Sequence, residues 1–105
     1  MNNQQSNSET LNTTVYEEFS IKLESTPSTG YIWEISELPG GIKLLGSFVE
    51  NDGGISQAGG ITMQEFRFCT VMPGEFTLFI VLKRPWESNA SQTKTYIVKA
   101  KPVNN

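Results

Sequence analysis

Apolar residues recur at every second position along nearly all of this chain, and that spacing commits it to extended structure rather than helix. Val15, Phe19, Ile21 and Leu23 fall on one face of a strand whose other face carries Tyr16, Glu18, Ser20, Lys22 and Glu24. After a turn at Pro27, Tyr31, Trp33 and Ile35 alternate with Ile32, Glu34 and Ser36, until Leu38-Pro39-Gly40-Gly41 breaks the run. A short strand is expected over Ile42 to Val49, and another from Ile61 to Met72, where Pro73-Gly74 turns the chain back. Glu75 to Lys83 is the most apolar segment, with Phe76, Leu78, Ile80 and Leu82 on one face and Phe79 and Val81 on the other. Apolar residues on both faces predict a central strand. "TKTYIVKAK" supplies the last strand before Pro102. About six to eight short strands without a helix predict an all-β fold, an immunoglobulin-like antiparallel β-sandwich. A chain of 105 residues is long enough for one such core without disulfides or metals. The polar lead, residues 1–12, is expected to be a flexible segment and residues 13–103 a single domain.

The residue inventory excludes most chemistry. The chain has no histidine, so Ser-His-Asp and Cys-His nucleophile systems and His-based zinc sites are absent. Cys69, the single cysteine, has no partner for an internal disulfide and lies in an apolar strand as a small buried hydrophobe without an activator. Glu17 and Glu18 are adjacent on a strand and point to opposite faces, which rules out the facing carboxylates of a glycosidase. "ENDGG" lacks the alternating oxygen ligands of a calcium loop, and no Gly-Lys-Ser/Thr follows to make a P-loop. No catalytic residue, metal or cofactor is therefore expected, and the chain does not read as an enzyme. Eight basic residues scattered among eleven acids give a net charge of -3, which disfavours nucleic acid as a partner. No apolar run is long enough to span a membrane, so no membrane partner is expected. No signal peptide is visible in "MNNQQSNSET", which favours the cytoplasm and leaves a lysosomal or secreted location to a mature form. Asn12-Thr13-Thr14 and Asn89-Ala90-Ser91 are glycosylation acceptor patterns that matter only in the secretory pathway.

With catalysis excluded, three unusual loops remain. Thr26 to Gly30 joins early strands, the glycine-rich Asn51 to Gly60 joins middle ones, and Arg84-Pro85-Trp86 leads into the last. In a sandwich of this type, connections separated by an even number of strands emerge at one end, so the three are expected to form one binding edge. Pro27 fixes a backbone torsion and Gly30 can take positive φ, which pre-shapes the first loop. Gly59 and Gly60 allow close backbone approach, while Arg84 and Trp86 are residue types enriched in interface hot spots. Trp33 is expected in the core and Trp86 on the surface.

The run Pro27-Ser28-Thr29-Gly30-Tyr31-Ile32-Trp33, the Gly59-Gly60 pair ahead of a strand, and Arg84-Pro85-Trp86 after an apolar strand resemble the three motifs of the chagasin family, protein inhibitors of papain-like cysteine peptidases. The motifs occur in the family's order, and the resemblance runs from about Val15 to Val103. The family opens its first loop with Asn-Pro-Thr-Thr-Gly; here Thr26 stands for the Asn and Ser28 for the first Thr. Its middle loop usually carries Gly-x-Gly-Gly, where this chain reads Gln57-Ala58-Gly59-Gly60. The resemblance implies a tight, reversible, non-covalent inhibitor of papain-like peptidases whose loops enter the active-site cleft. It implies a first inhibitory loop of Thr26, Pro27, Ser28, Thr29, Gly30 and Tyr31, with Thr29 approaching the target's Cys-His pair. It also implies a second loop of Gln57, Ala58, Gly59, Gly60 and Ile61 along the substrate subsites, and a third of Arg84, Pro85 and Trp86, with Arg84 bracing the loop. The alternative is an immunoglobulin-like adhesion or carbohydrate-binding module in which Trp86 stacks on a sugar.

Overall fold

Seven strands account for most of the residues described in a computed structural model, which are 8–25, 29–50 and 62–103. They are β1 (Ser8–Thr14), β2 (Phe19–Ser25), β3 (Ile32–Glu37), β4 (Ile42–Glu50), β5 (Thr62–Thr70), β6 (Gly74–Lys83) and β7 (Gln92–Lys101). One sheet has the order β1-β7-β6-β3 and the other β2-β5-β4, and no α-helix occurs among the described residues. All pairings are antiparallel except that of β1 with β7. This is the sandwich that the alternation predicts.

The core forms where the inner faces meet. Phe68, Leu78, Ile80 and Val98 are wholly buried, with Ile21, Leu23, Trp33, Ile42, Phe66 and Tyr96 around them. Phe68 stacks against Phe19 at 5.5 Å and Phe66 at 6.5 Å between ring centroids, in the range where aromatic pairs attract. β6 lies between β7 and β3, as its two apolar faces require: Leu78 and Ile80 point into the core, while Phe79 and Val81 are half-buried on the other face.

Three expectations change. Residues 8–12, expected in a flexible lead, form the larger part of β1, which runs beside β7 from Ser8 opposite Thr95 to Thr14 opposite Lys101. Backbone pairing at a sheet edge needs little apolar patterning, so the polar composition hides this strand. The single strand expected from Val15 onward is interrupted by a corner at Val15–Glu18. There Val15 N–H donates to the Lys101 carbonyl at 3.0 Å, Tyr16 N–H to that of Thr70 at 2.9 Å, and Glu17 N–H to that of Thr14 at 2.9 Å. Tyr16 adopts φ 73°, an uncommon left-handed conformation for a residue with a side chain, so neither Gly nor Pro marks the corner. Val15 remains buried and Tyr16 exposed, which preserves the in-out pattern through the bend. Cys69 is half-buried rather than buried, opposite Lys43 on the outer face of β5. Asn12 and Asn89 are both exposed.

Strand directions decide where the connections emerge. β2, β4 and β6 run one way and β3, β5 and β7 the other, so the β2–β3, β4–β5 and β6–β7 connections share one end. Register brings their bases together: Ser25 lies opposite Thr62 and Glu50 opposite Met63 in one sheet, Ile32 opposite Lys83 and Leu82 opposite Gln92 in the other.

Candidate functional site

The first connection leaves one sheet at Ser25 and enters the other at Ile32, so its base must hold the sheets together. Trp33 does this from the core. Its indole Nε1 donates to the Glu24 carbonyl at 2.8 Å, tying the start of β3 to the end of β2. β3 is an edge strand, and the Trp33 backbone groups that face away from β6 are satisfied by one side chain: Trp33 N–H donates to Gln64 Oε1 at 2.8 Å, and Gln64 Nε2 donates to the Trp33 carbonyl at 3.1 Å. Gln64 thereby acts as a short surrogate strand that links β5 to β3 across the sandwich.

Above this base, Thr29 is exposed and Gly30 adopts φ 89°, a conformation glycine enters without the penalty of a Cβ. The third connection folds back over it. Arg84-Pro85-Trp86-Glu87 is a β-turn closed by Glu87 N–H donating to the Arg84 carbonyl at 2.9 Å, with Pro85 at the position where its fixed φ suits the turn. Farther along, Ser91 N–H donates to the Leu82 carbonyl at 2.7 Å and leads the chain into β7.

Arg84 joins the two connections. Its Nε donates to the Thr29 carbonyl at 3.2 Å, its guanidinium lies 4.5 Å from the centroid of the Tyr31 ring, and its Nη1 donates to Glu87 Oε2 at 3.3 Å. The planar, forked guanidinium can make these three contacts at once, whereas an ammonium cannot. The ion pair with Glu87 is partly solvated and adds little stability by itself, but it orients the guanidinium toward Thr29 and Tyr31. Trp86 completes the junction. A Cβ built on Gly30 would lie 3.0 Å from its Cη2 and 3.5 Å from Arg84 Cγ, so the ring edge rests on the glycine. Even so, Trp86 is 72% exposed, the largest such value among the exposed apolar side chains of the described residues.

The structure thus brings Thr29, Gly30 and Tyr31 together with Arg84 and Trp86, with Pro85 exposed in the turn between the last two. Thr26, Pro27 and Ser28 lie outside the described residues, as do Gln57, Ala58, Gly59, Gly60 and Ile61. Two contributors escape the sequence motifs. Glu87 is legible only through its spacing three residues after Arg84, and Gln64 carries no local signal because its partner is remote in the chain.

Residues 12–100 match the sequence model of the chagasin family of peptidase inhibitors, family I42. A search of curated protein sequences finds no significant match. Among solved structures, the cysteine protease inhibitor EhICP2 from Entamoeba histolytica superposes with a TM-score of 0.71 at 23% identity, covering 90% of this chain and 96% of the other. The solution structure of Amebosin gives 0.69 at 24% identity, with 90% and 88% covered. PbICP-C, solved in complex with falcipain-2, gives 0.55 at 21% identity, with 94% and 92% covered. These likenesses establish a shared fold. The expectation of an inhibitor rather than an enzyme holds at the level of the family. Because the family match spans most of the chain and includes all three connections at the loop end, this chain belongs to the chagasin family of peptidase inhibitors.

Proposed function

We propose that this protein inhibits papain-like cysteine peptidases reversibly and without covalent chemistry, by entering the active-site cleft with the three connections at one end of the sandwich. The observation that carries this reading is the Arg84 junction, which couples the first and third connections into one pre-shaped surface bearing exposed Thr29 and Trp86. A surface ordered before binding loses less conformational freedom on association, so more of its contact energy appears as affinity.

In this reading Thr29 faces the catalytic cysteine with its hydroxyl. Its carbonyl is engaged by Arg84, so the Thr29–Gly30 peptide is held by the inhibitor's own side chain rather than offered for attack. Trp86 provides a large, partly desolvated anchor of the kind that dominates interface energetics. The roles of Thr26 to Ser28 and of Gly59, Gly60 and Ile61 rest on the family motifs. An exposed tryptophan would also suit sugar stacking, but family membership favours a protein partner.

The test is a steady-state titration of the purified protein against papain, with a chymotrypsin-like serine peptidase as control and Thr29→Arg and Trp86→Ala in parallel. Reversible inhibition of papain alone, at a dissociation constant of about nanomolar or below (roughly -12 kcal/mol) and weakened by both substitutions, is expected. If micromolar protein leaves papain and a panel of related peptidases untouched, the proposal fails.

A further inference from the structure

Two open sheets leave four edge strands, and an edge can offer its outward backbone donors and acceptors to another chain, although on β3 Gln64 already occupies those of Trp33. Three are defended by charge or polarity. β2 presents Lys22 and Glu24, β3 presents Glu34 and Glu37, and β1 presents Glu9 among serine, threonine and asparagine. β4 differs. Between Lys43 and position 50 it carries no charge, and Leu44, Leu45, Phe48 and Val49 are all exposed, four of the nine exposed large hydrophobics among the described residues.

A bulge in β4 decides which of its residues share a face. Leu44 lies opposite Phe68 and Gly46 opposite Arg67, so Leu45 is the extra residue. Counting through it, Lys43, Gly46, Phe48 and position 50 have register positions on the outer face, while Leu44, Ser47 and Val49 are on the inner one. The Phe48 ring lies close over Gly46, with the Arg67 guanidinium 4.5 Å from its centroid.

This arrangement is self-complementary. A second β4 laid antiparallel about a two-fold axis at Ser47 sets Ser47 opposite Ser47 of the second copy, Phe48 opposite the Leu45-Gly46 bulge, and Val49 opposite Leu44. It also sets position 50, a glutamate in the sequence, opposite Lys43. Every pair falls on a common face, as cross-strand neighbours must. Without the bulge, the odd spacing from Lys43 to position 50 would put the two positions on opposite faces, and no two-fold register would pair them.

We propose that the β4 edge is a self-association surface whose occupant is a second copy of this chain, paired antiparallel about Ser47. The dimer is a two-fold, closed assembly, because pairing consumes the β4 edge and leaves only defended ones. Since the strands run in opposite directions, the two loop ends point away from each other, and each remains open to its own peptidase.

Sedimentation velocity on the full chain from micromolar to millimolar concentration tests this. A monomer–dimer equilibrium without larger species is expected. Ser47→Lys, which sets like charges opposite each other on the axis at an exposed site, should abolish the dimer with an unchanged circular dichroism spectrum, whereas Thr10→Lys on β1 should leave it intact. Register is tested in a Cys69→Ser background: Ser47→Cys should form a disulfide-linked dimer under mild oxidation, and Lys43→Cys should not. A monomer throughout, open-ended growth, a dimer that survives Ser47→Lys, or equal cross-linking at position 43 would each overturn the proposal. Papain inhibition per chain should be the same for Ser47→Lys as for the parent, so a failed inhibition assay and a failed dimer are read separately.

Discussion

Arg84 is the side chain on which the loop end turns, and its chemistry makes the sharpest single-site prediction. Arg84→Lys keeps the charge but loses the fork that reaches Thr29 and Glu87 and the plane that stacks on Tyr31. Loss of one charge-assisted hydrogen bond and part of a cation–π contact corresponds to roughly 1–2 kcal/mol, or about five- to thirtyfold in the inhibition constant. Because the group is partly exposed, thermal stability should change far less, and titration alongside a melting curve separates the two effects. Gly30 makes the complementary prediction. Gly30→Ala forces a Cβ into the left-handed region and against Trp86, so it should lower stability by about 1 kcal/mol or more and displace Trp86. Tryptophan fluorescence in the free protein should shift, and inhibition should weaken more than for Arg84→Lys. Neither contact is readable locally, since the sequence announces a turn at Thr26 to Gly30 and an Arg-Pro-Trp motif but not that one folds over the other.

At the level of strands, the bond pair between Gln64 and Trp33 is what a β-edge normally obtains from another strand. Gln64→Leu keeps the volume but leaves the Trp33 N–H and carbonyl unpartnered beneath the loops, which should cost about 2–4 kcal/mol. Chemical denaturation should show this as a lower midpoint with an unchanged slope. Gln64→Glu retains the acceptor and should lose less. The sequence announces a strand here but no face for Gln64; the register sets it inward on β5, opposite Val49 and between inward Thr62 and Phe66, and no local pattern gives a reason for an amide there. That reason exists only once β3 is laid across the sandwich. β1 was hidden for a related cause: its stability comes from pairing with β7 rather than from a pattern of its own.

For the molecule as a whole, two ionisable groups tie stability to pH. Glu65 is held below its ordinary value of 4.5 by hydrogen bonds from Arg67 and the Ser20 hydroxyl. Its contribution is therefore present above that value and lost as pH falls through the lowered one. Tyr96 is the opposite case, since burial, with the nearby negative charge of Glu9 adding to it, pushes its phenol from 10.0 up to about 12. The unfolded chain releases that proton first, so stability is unaffected below pH 10 and declines between 10 and about 12. Urea denaturation across pH should show both slopes, with Tyr96→Phe removing the alkaline one and Glu65→Gln the acid one. By itself the sequence determined the faces of β2, β3 and β6, the central place of β6, the burial of Trp33, the exposure of Trp86 and the order of three loop motifs, because each follows from neighbours within a few residues. The β1–β7 pairing, the corner at Tyr16, the bulge at Leu45 and the Arg84 junction were settled by folding alone. They depend on backbone and side-chain groups far apart in the chain that meet only when the two sheets close, and no local pattern records a partner that distant.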